Sequence, residues 1–168
     1  MKKIIILGSP GAGKSTFSFA LAEKTGLPVY HLDQMFWRAG WVSVTKEDFD
    51  AELAETLAKE EWIIDGNYSR TIPMRLEKCD TVFYLDYPRL VCFFGVVRRV
   101  LGSLGKTRPD MAEGCPERFD LEFLKFVWNF RKKKRAGILA LLEGANAEIH
   151  IFRSRKEAKR YLDGMEKV

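Results

Sequence analysis

Short apolar runs recur along the chain. Each is closed by a glycine, an aspartate or a charged residue, and most are followed by a stretch with helical spacing. Residues 4–7 (IIIL) form a continuous run rich in β-branched side chains, the pattern of a strand buried on both faces of a parallel sheet. Residues 15–25 then repeat at helical spacing, with Phe17, Ala20 and Leu21 on one face and Gly26 as the stop. Further strands are expected over 28–32, ending at Asp33; over 62–64, ending at Asp65 and Gly66; over 81–85, ending at Asp86; and over 148–152. Helices are expected over 46–59 with Thr45 as N-cap, over 72–77, from Pro88 to about residue 100, over 117–135 and over 156–165. Residues 34–44 read as an aromatic loop. Residues 102–116, with their glycines, prolines and weak periodicity, read as a mobile functional loop.

Strands alternating with helices argue for an α/β protein, a parallel sheet covered by helices on both faces. Ligands of such sheets bind at the carboxyl ends of the strands, so Asp33, Asp65 and Asp86 are expected along one functional edge. A chain of 168 residues suits one domain spanning 1–168. Its 46% hydrophobic and 30% charged residues argue against disorder. The net charge of +5 suits an anionic partner and leaves open whether that is a nucleotide or a nucleic acid. Cys79, Cys92 and Cys115 are scattered without a CxxC pair, which argues against a zinc knuckle and for reduced thiols. No run approaches the roughly 20 apolar residues that span a bilayer. The longest candidate, 90–97, is broken by Gly95 and closed by Arg98 and Arg99. Lys2 and Lys3 precede an apolar run too short for a signal segment, so a soluble, cytoplasmic protein without a membrane partner is expected.

The strongest chemical signal is GSPGAGKST at 8–16, which satisfies GxxxxGK[ST] at every fixed position, between a strand and a helix. A loop that turns its amides around a phosphate has no room for Cβ atoms at the wrapping positions, which Gly8, Gly11 and Gly13 supply. The helix that follows directs its positive end at the same anion. Gly8, Gly11, Ala12, Gly13, Lys14, Ser15 and Thr16 are therefore the expected nucleotide-binding residues. Lys14 is expected on the β- and γ-phosphates of ATP and Ser15 on Mg²⁺.

Phosphoryl transfer needs an acid near the metal, and Asp65 is favoured over Asp86 because Gly66 beside it admits a ligand. A simple turn role for Asp65, and a helix-leading role for Asp86, are the alternatives. Asp33 is placed to orient an acceptor hydroxyl or take its proton, or else to cap or pair locally. His31, inside a strand, reads as core. Charge developing on the transferred group calls for arginines, and Arg98, Arg108 and Arg131 are the catalytic candidates around the 102–117 segment. Residues 131–135 (RKKKR) read as a solvated helix end, with nucleic-acid contact as the alternative. Phe36, Trp37 and Trp41 either cover an acceptor or pack in the core, whereas Phe119, Phe123, Phe126, Val127 and Phe130 read as core.

These residues resemble the adenylate-kinase-like branch of P-loop kinases, and within it the DNA topology modulation proteins. The resemblance spans nearly the whole chain. It rests on GSPGAGKST at 8–16, HLDQMFWRAGW at 31–41, WIIDGNY at 62–68 and RPDMAEGCPERFDLEFLKFVW at 108–128. It implies a three-layer P-loop NTPase fold with a five-stranded parallel sheet in the order 2-3-1-4-5, ATP on the P-loop and a lid at about 102–117. It also implies an acceptor site between Asp33, Asp65 and the Trp37–Trp41 loop, and an adenine border at Ser154 and Arg155. Adenylate kinases carry Asp-Gly-Phe-Pro-Arg after strand three. Here Asp65-Gly66-Asn67-Tyr68-Ser69-Arg70 is one residue longer, a departure from the AMP-binding pattern that leaves Arg70 as the residue to meet an acceptor anion. The expectation is an ATP- and Mg²⁺-dependent phosphotransferase acting on a small acceptor. A nucleotide-dependent DNA- or RNA-binding regulator and a bare ATPase are the alternatives.

Overall fold

Along the strands, successive side chains point to opposite faces, and here both faces are apolar. In a computed structural model that describes residues 1–166, Ile4 and Ile6 enter one core cluster and Ile5 and Leu7 the other. The elements in chain order are β1 (Lys3–Gly8), α1 (Lys14–Thr25), β2 (Val29–His31), α2 (Leu32–Phe36), β3 (Trp37–Arg38), β4 (Val42–Ser43), α3 (Lys46–Leu57), β5 (Trp62–Asp65), α4 (Ile72–Leu76), β6 (Thr81–Leu85), α5 (Arg89–Ser103), α6 (Leu121–Glu143), β7 (Glu148–Phe152) and α7 (Arg155–Asp163). The main sheet has five strands in the order β2-β5-β1-β6-β7, all parallel. Counting only those strands, this is the expected 2-3-1-4-5. Helices α3, α4 and α6 cover one face through Phe49, Leu53, Ile72, Phe130 and Ile138. Helices α1, α5 and α7 cover the other through Phe17, Leu21, Cys92 and Ala158.

Several boundaries differ from expectation, each for a physical reason. The chain turns into α2 directly after β2, so Asp33 sits in the first turn of a helix and not at a free strand end. The expected loop at 34–44 holds the rest of α2 and a hairpin, β3 against β4. Its turn needs positive φ at Gly40 (76°) and at Trp41 (64°). Pro88 caps α5 from outside. The long helix starts at Leu121, not Glu117, because Asp120 accepts from the Phe123 amide at 3.0 Å while Glu117 is drawn into a bridge with Leu104. It then runs to Glu143, since Ile138 and Leu142 still reach the core. The basic run 131–135 is therefore mid-helix. Phe119 precedes the helix and is 64% exposed, and Phe126 is also exposed, so the core reading holds only for Val127 and Phe130, with Phe123 half-buried. No helix among the described residues is long and apolar enough to cross a membrane.

One carboxylate ties the sheet to the chain's first strand. Asp80, just before β6, accepts from the amides of Lys2 (2.6 Å) and Lys3 (3.0 Å). Burial pushes its carboxyl up, but the Thr81 hydroxyl and the two amides outweigh that and hold it below its usual 3.8. A carboxyl lowered in the folded state adds stability that is complete above 3.8 and drains away as the pH falls through the lower folded value. Asp80→Asn should flatten this acid limb of the stability curve, measured as urea midpoints between pH 3 and pH 6; an unaltered limb would contradict the assignment.

Candidate active site

The loop between β1 and α1 presents backbone, and its neighbours hold it by backbone. Gly8, Gly11 and Gly13 all have positive φ (152°, 78° and 95°). Gly13 caps α1 in the left-handed region with no side chain bonded to the first-turn amides, which leaves those donors to an anion. Asn67 clamps the loop's entry. Its Oδ1 accepts from the Gly8 amide at 3.1 Å and its Nδ2 donates to the Gly8 carbonyl at 2.7 Å. On the other side α5 presses close: a Cβ on Gly95 would stand 2.1 Å from the Gly11 carbonyl oxygen. Arg155 Nη2 donates to that carbonyl at 3.1 Å.

The loop opens on a cleft of about 1390 Å³. Lys14, Ser15 and Thr16 line it, together with Asp33, Asp65 and Tyr68. Asp33 Oδ1 accepts from the Tyr68 hydroxyl at 2.7 Å. Burial raises the Asp33 carboxyl, with the Tyr68 hydrogen bond and Lys14 pulling the other way. Burial and the Asp33 charge together hold Tyr68 protonated, well above the usual phenol value. Asp65 is 4% exposed, its Oδ2 lies 3.1 Å from His31 Nδ1, and its Oδ1 has no hydrogen-bond partner. His31 is buried, as expected for core, yet it also lines the cleft and steadies Asp65.

A buried carboxylate oxygen without a partner, in a cleft shared with the Ser15 hydroxyl, suits a hard cation that takes oxygen ligands. Among the described residues no three His, Cys, Asp or Glu side chains gather into a metal cage. Mg²⁺ is usually held by one or two protein oxygens with phosphate and water completing its shell.

The arginines divide. Arg98 and Arg108 line the cleft. Arg108 pairs with Asp110 at 2.7 Å and with Glu117 at 2.9 Å. Arg131 is not among the cleft residues: it turns to Asp86 at 3.3 Å, joined there by Arg135 at 2.8 Å. Asp86, buried beneath α6, is thus absorbed by that pairing, and of these two aspartates Asp65 is the one that lines the cleft. Arg70 is also outside, in a two-point pair with Asp50 (2.7 and 2.6 Å). Sequence reasoning missed Asn67, Tyr68, Asp110 and Glu117. All four stood in stretches already singled out, but the partners of the first two lie 59 and 35 residues away, and Asp110 meets Ser15 across 95.

The aromatic residues also divide. Phe36 packs edge-on to Phe49 at the margin of the core and also lines the cleft, while Trp37 and Trp41 meet at 5.4 Å on the cleft wall. The segment between α5 and α6 docks on this hairpin. Gln34 donates to the Pro109 carbonyl (2.7 Å), Gly40 to that of Gly114 (2.9 Å) and the Trp41 indole to that of Pro116 (3.1 Å).

No protein-family model matches the chain. It is 32% identical over 94 residues to an adenylate kinase of Thermotoga neapolitana, covering 54% of this chain and 42% of that protein. It is 33% identical over 107 residues to an adenylate kinase of Bacillus licheniformis, covering 62% of this chain and 48% of that one. The chain is similar to adenylate kinases. It spans less than half the length of these relatives. A shikimate kinase from Bacteroides thetaiotaomicron matches in structure with a TM-score of 0.56 at 20% identity, over 95% of this chain and 93% of that one. That structural likeness establishes the fold, an α/β arrangement around a five-stranded parallel sheet.

Asn67→Ala would leave the buried amide and carbonyl of Gly8 without partners, at a cost of about 1–3 kcal/mol. Urea unfolding should show this loss together with weaker nucleotide binding; an unchanged midpoint would remove the clamp from the account.

Proposed function

We propose that the chain is a Mg-ATP-dependent phosphotransferase, a kinase that moves the γ-phosphoryl group of ATP onto a hydroxyl of a small acceptor such as a nucleoside or nucleotide. One observation carries this: a glycine loop with unclaimed helix-start amides, Lys14 and Ser15 share one cleft with the half-buried carboxylate of Asp33 and the buried one of Asp65. Amides at 11–16 and Lys14 would hold the β- and γ-phosphates, and Arg155 would border the nucleotide's base end. Ser15 and Asp65 would hold Mg²⁺, which when bound neutralises charge on the phosphate oxygens. His31 keeps the Asp65 carboxylate oriented.

Asp33, raised by burial, is a better proton acceptor than a solvated carboxylate. In the transfer, the acceptor oxygen forms the new O–P bond as the bond between the γ-phosphorus and its bridging oxygen breaks. The electron pair leaves with ADP and the acceptor's proton passes to Asp33. Trp37, Trp41 and the segment 104–120 act as a lid that keeps water from taking the phosphoryl group. Arg98 and Arg108 meet the charge that develops; Arg131 has no part. The motifs shared with the DNA topology modulation proteins favour that group. Direct DNA contact is not included, because Arg131 and Arg135, the two ends of the basic run, are committed to Asp86.

A screen of nucleosides, nucleotides and small metabolites for ADP release from Mg-ATP should yield an acceptor that becomes phosphorylated. Lys14→Ala should abolish turnover with the circular dichroism spectrum intact. Asp33→Asn should lower kcat by roughly 100-fold or more while Mg-ATP still binds. Phosphate release independent of any acceptor would replace the kinase with a bare ATPase.

A further inference from the structure

The hydroxyl expected to serve the metal already has a partner. Ser15 Oγ donates to Asp110 Oδ2 at 2.7 Å, from a residue 95 positions further along the chain. Asp110 is only 7% exposed. Arg108 Nη1 lies 2.9 Å from its Oδ1 and 2.7 Å from its Oδ2. Arg108 Nε in turn lies 2.9 Å from Glu117 Oε2, and Arg99 Nε lies 3.0 Å from the same oxygen. An unbroken relay, Ser15–Asp110–Arg108–Glu117–Arg99, therefore fastens the start of α1 to the segment 104–120 and on to α5.

The other contacts of that segment do not reach the loop. Gln34, Gly40 and Trp41 bind its backbone from the hairpin side. Among the described residues, Ser15–Asp110 is the hydrogen bond that joins it to the residues of the 8–16 motif. A carboxylate at this place is the same kind of guest as a phosphate: an anion on a hydroxyl in the first turn of α1, in the cleft that Lys14 also lines.

We propose that Asp110 is a built-in placeholder for the nucleotide: in the ligand-free chain it holds the segment 104–120 shut on Ser15, and an incoming nucleotide must displace it. On displacement, Asp110 leaves Ser15, and Arg108, still paired with Glu117, can turn its Nη1 from Asp110 to a phosphate oxygen, which couples nucleotide entry to the arming of a cation. This rests on the kinase function proposed above and adds a control of the same site, in which the lid competes with the nucleotide for one hydroxyl.

The test uses Asp110→Ala, with Asp110→Asn as a variant of nearly unchanged shape. Two properties are read, amide hydrogen exchange over 104–117 in nucleotide-free protein and ADP affinity by calorimetry without magnesium. Removing the charge should speed exchange of the segment and tighten ADP binding, each by roughly tenfold, the scale of one charge-assisted hydrogen bond. Unchanged exchange would overturn the proposal. So would weaker ADP binding, which would make Asp110 a contributor to the nucleotide site instead of its rival. Wild-type protein that binds no ADP would sink the kinase function itself. If ADP binds and the Asp110 variants behave as wild type, only the placeholder falls.

Discussion

A stretch of backbone with almost no side chains has to be held open at the end of a sheet, and most of the site depends on how that is done. Side chains cannot brace the loop from within if its inner surface is to take the anion of the proposed function. It is braced from outside, main chain first. Asn67 takes both polar groups of Gly8. Helix α5 comes so near that a Cβ on Gly11 would stand 2.1 Å from the Cys92 carbonyl, and one on Gly95 equally near the Gly11 carbonyl. Gly95, which at first only interrupts an apolar run, thus belongs with the glycine loop by contact. Close-packed interiors transmit strain, so a small shift of α5 would be felt at the amides that face the cleft.

That division explains what the sequence could show. The strands, their order and the glycine loop are written in contiguous residues: continuous β-branched runs, a motif with fixed spacing, a strand before it and a helix after it. Thr45 as an N-cap was legible for the same reason, since its partner Asp48 is three positions away. The fates of the charged residues were not. Arg70, Arg108 and Arg131 look alike in sequence, yet Asp50 claims the first, Asp110 and Glu117 the second and Asp86 the third. Which carboxylate an arginine finds is set by the packing of helices far apart in the chain, and no local pattern encodes it. The hairpin at 37–43 was illegible too, because strands two residues long carry no periodicity.

The turn after β5 shows how much effort goes into placing two side chains. Tyr68 adopts a φ of 35°, a left-handed conformation costly for a residue with a Cβ. Beneath it lies Arg75, fully buried, with no carboxylate in its hydrogen-bond set. It donates to the carbonyls of Gly66 (2.9 Å), Thr71 (3.3 Å) and Asn67. Burial pushes its guanidinium down to about 9, with Cys79 and Asp65 nearby drawing it back up. A buried, unpaired charge is expensive to keep, and fold stability alone does not call for one, since an apolar side chain would fill the same space. What the guanidinium adds is geometry. It fixes the carbonyls on either side of Asn67, so that Asn67 meets Gly8 and Tyr68 meets Asp33. The glycine loop and the carboxylate proposed as base are then registered to each other through one turn, and the extra residue that separates this stretch from the adenylate-kinase pattern lies within it.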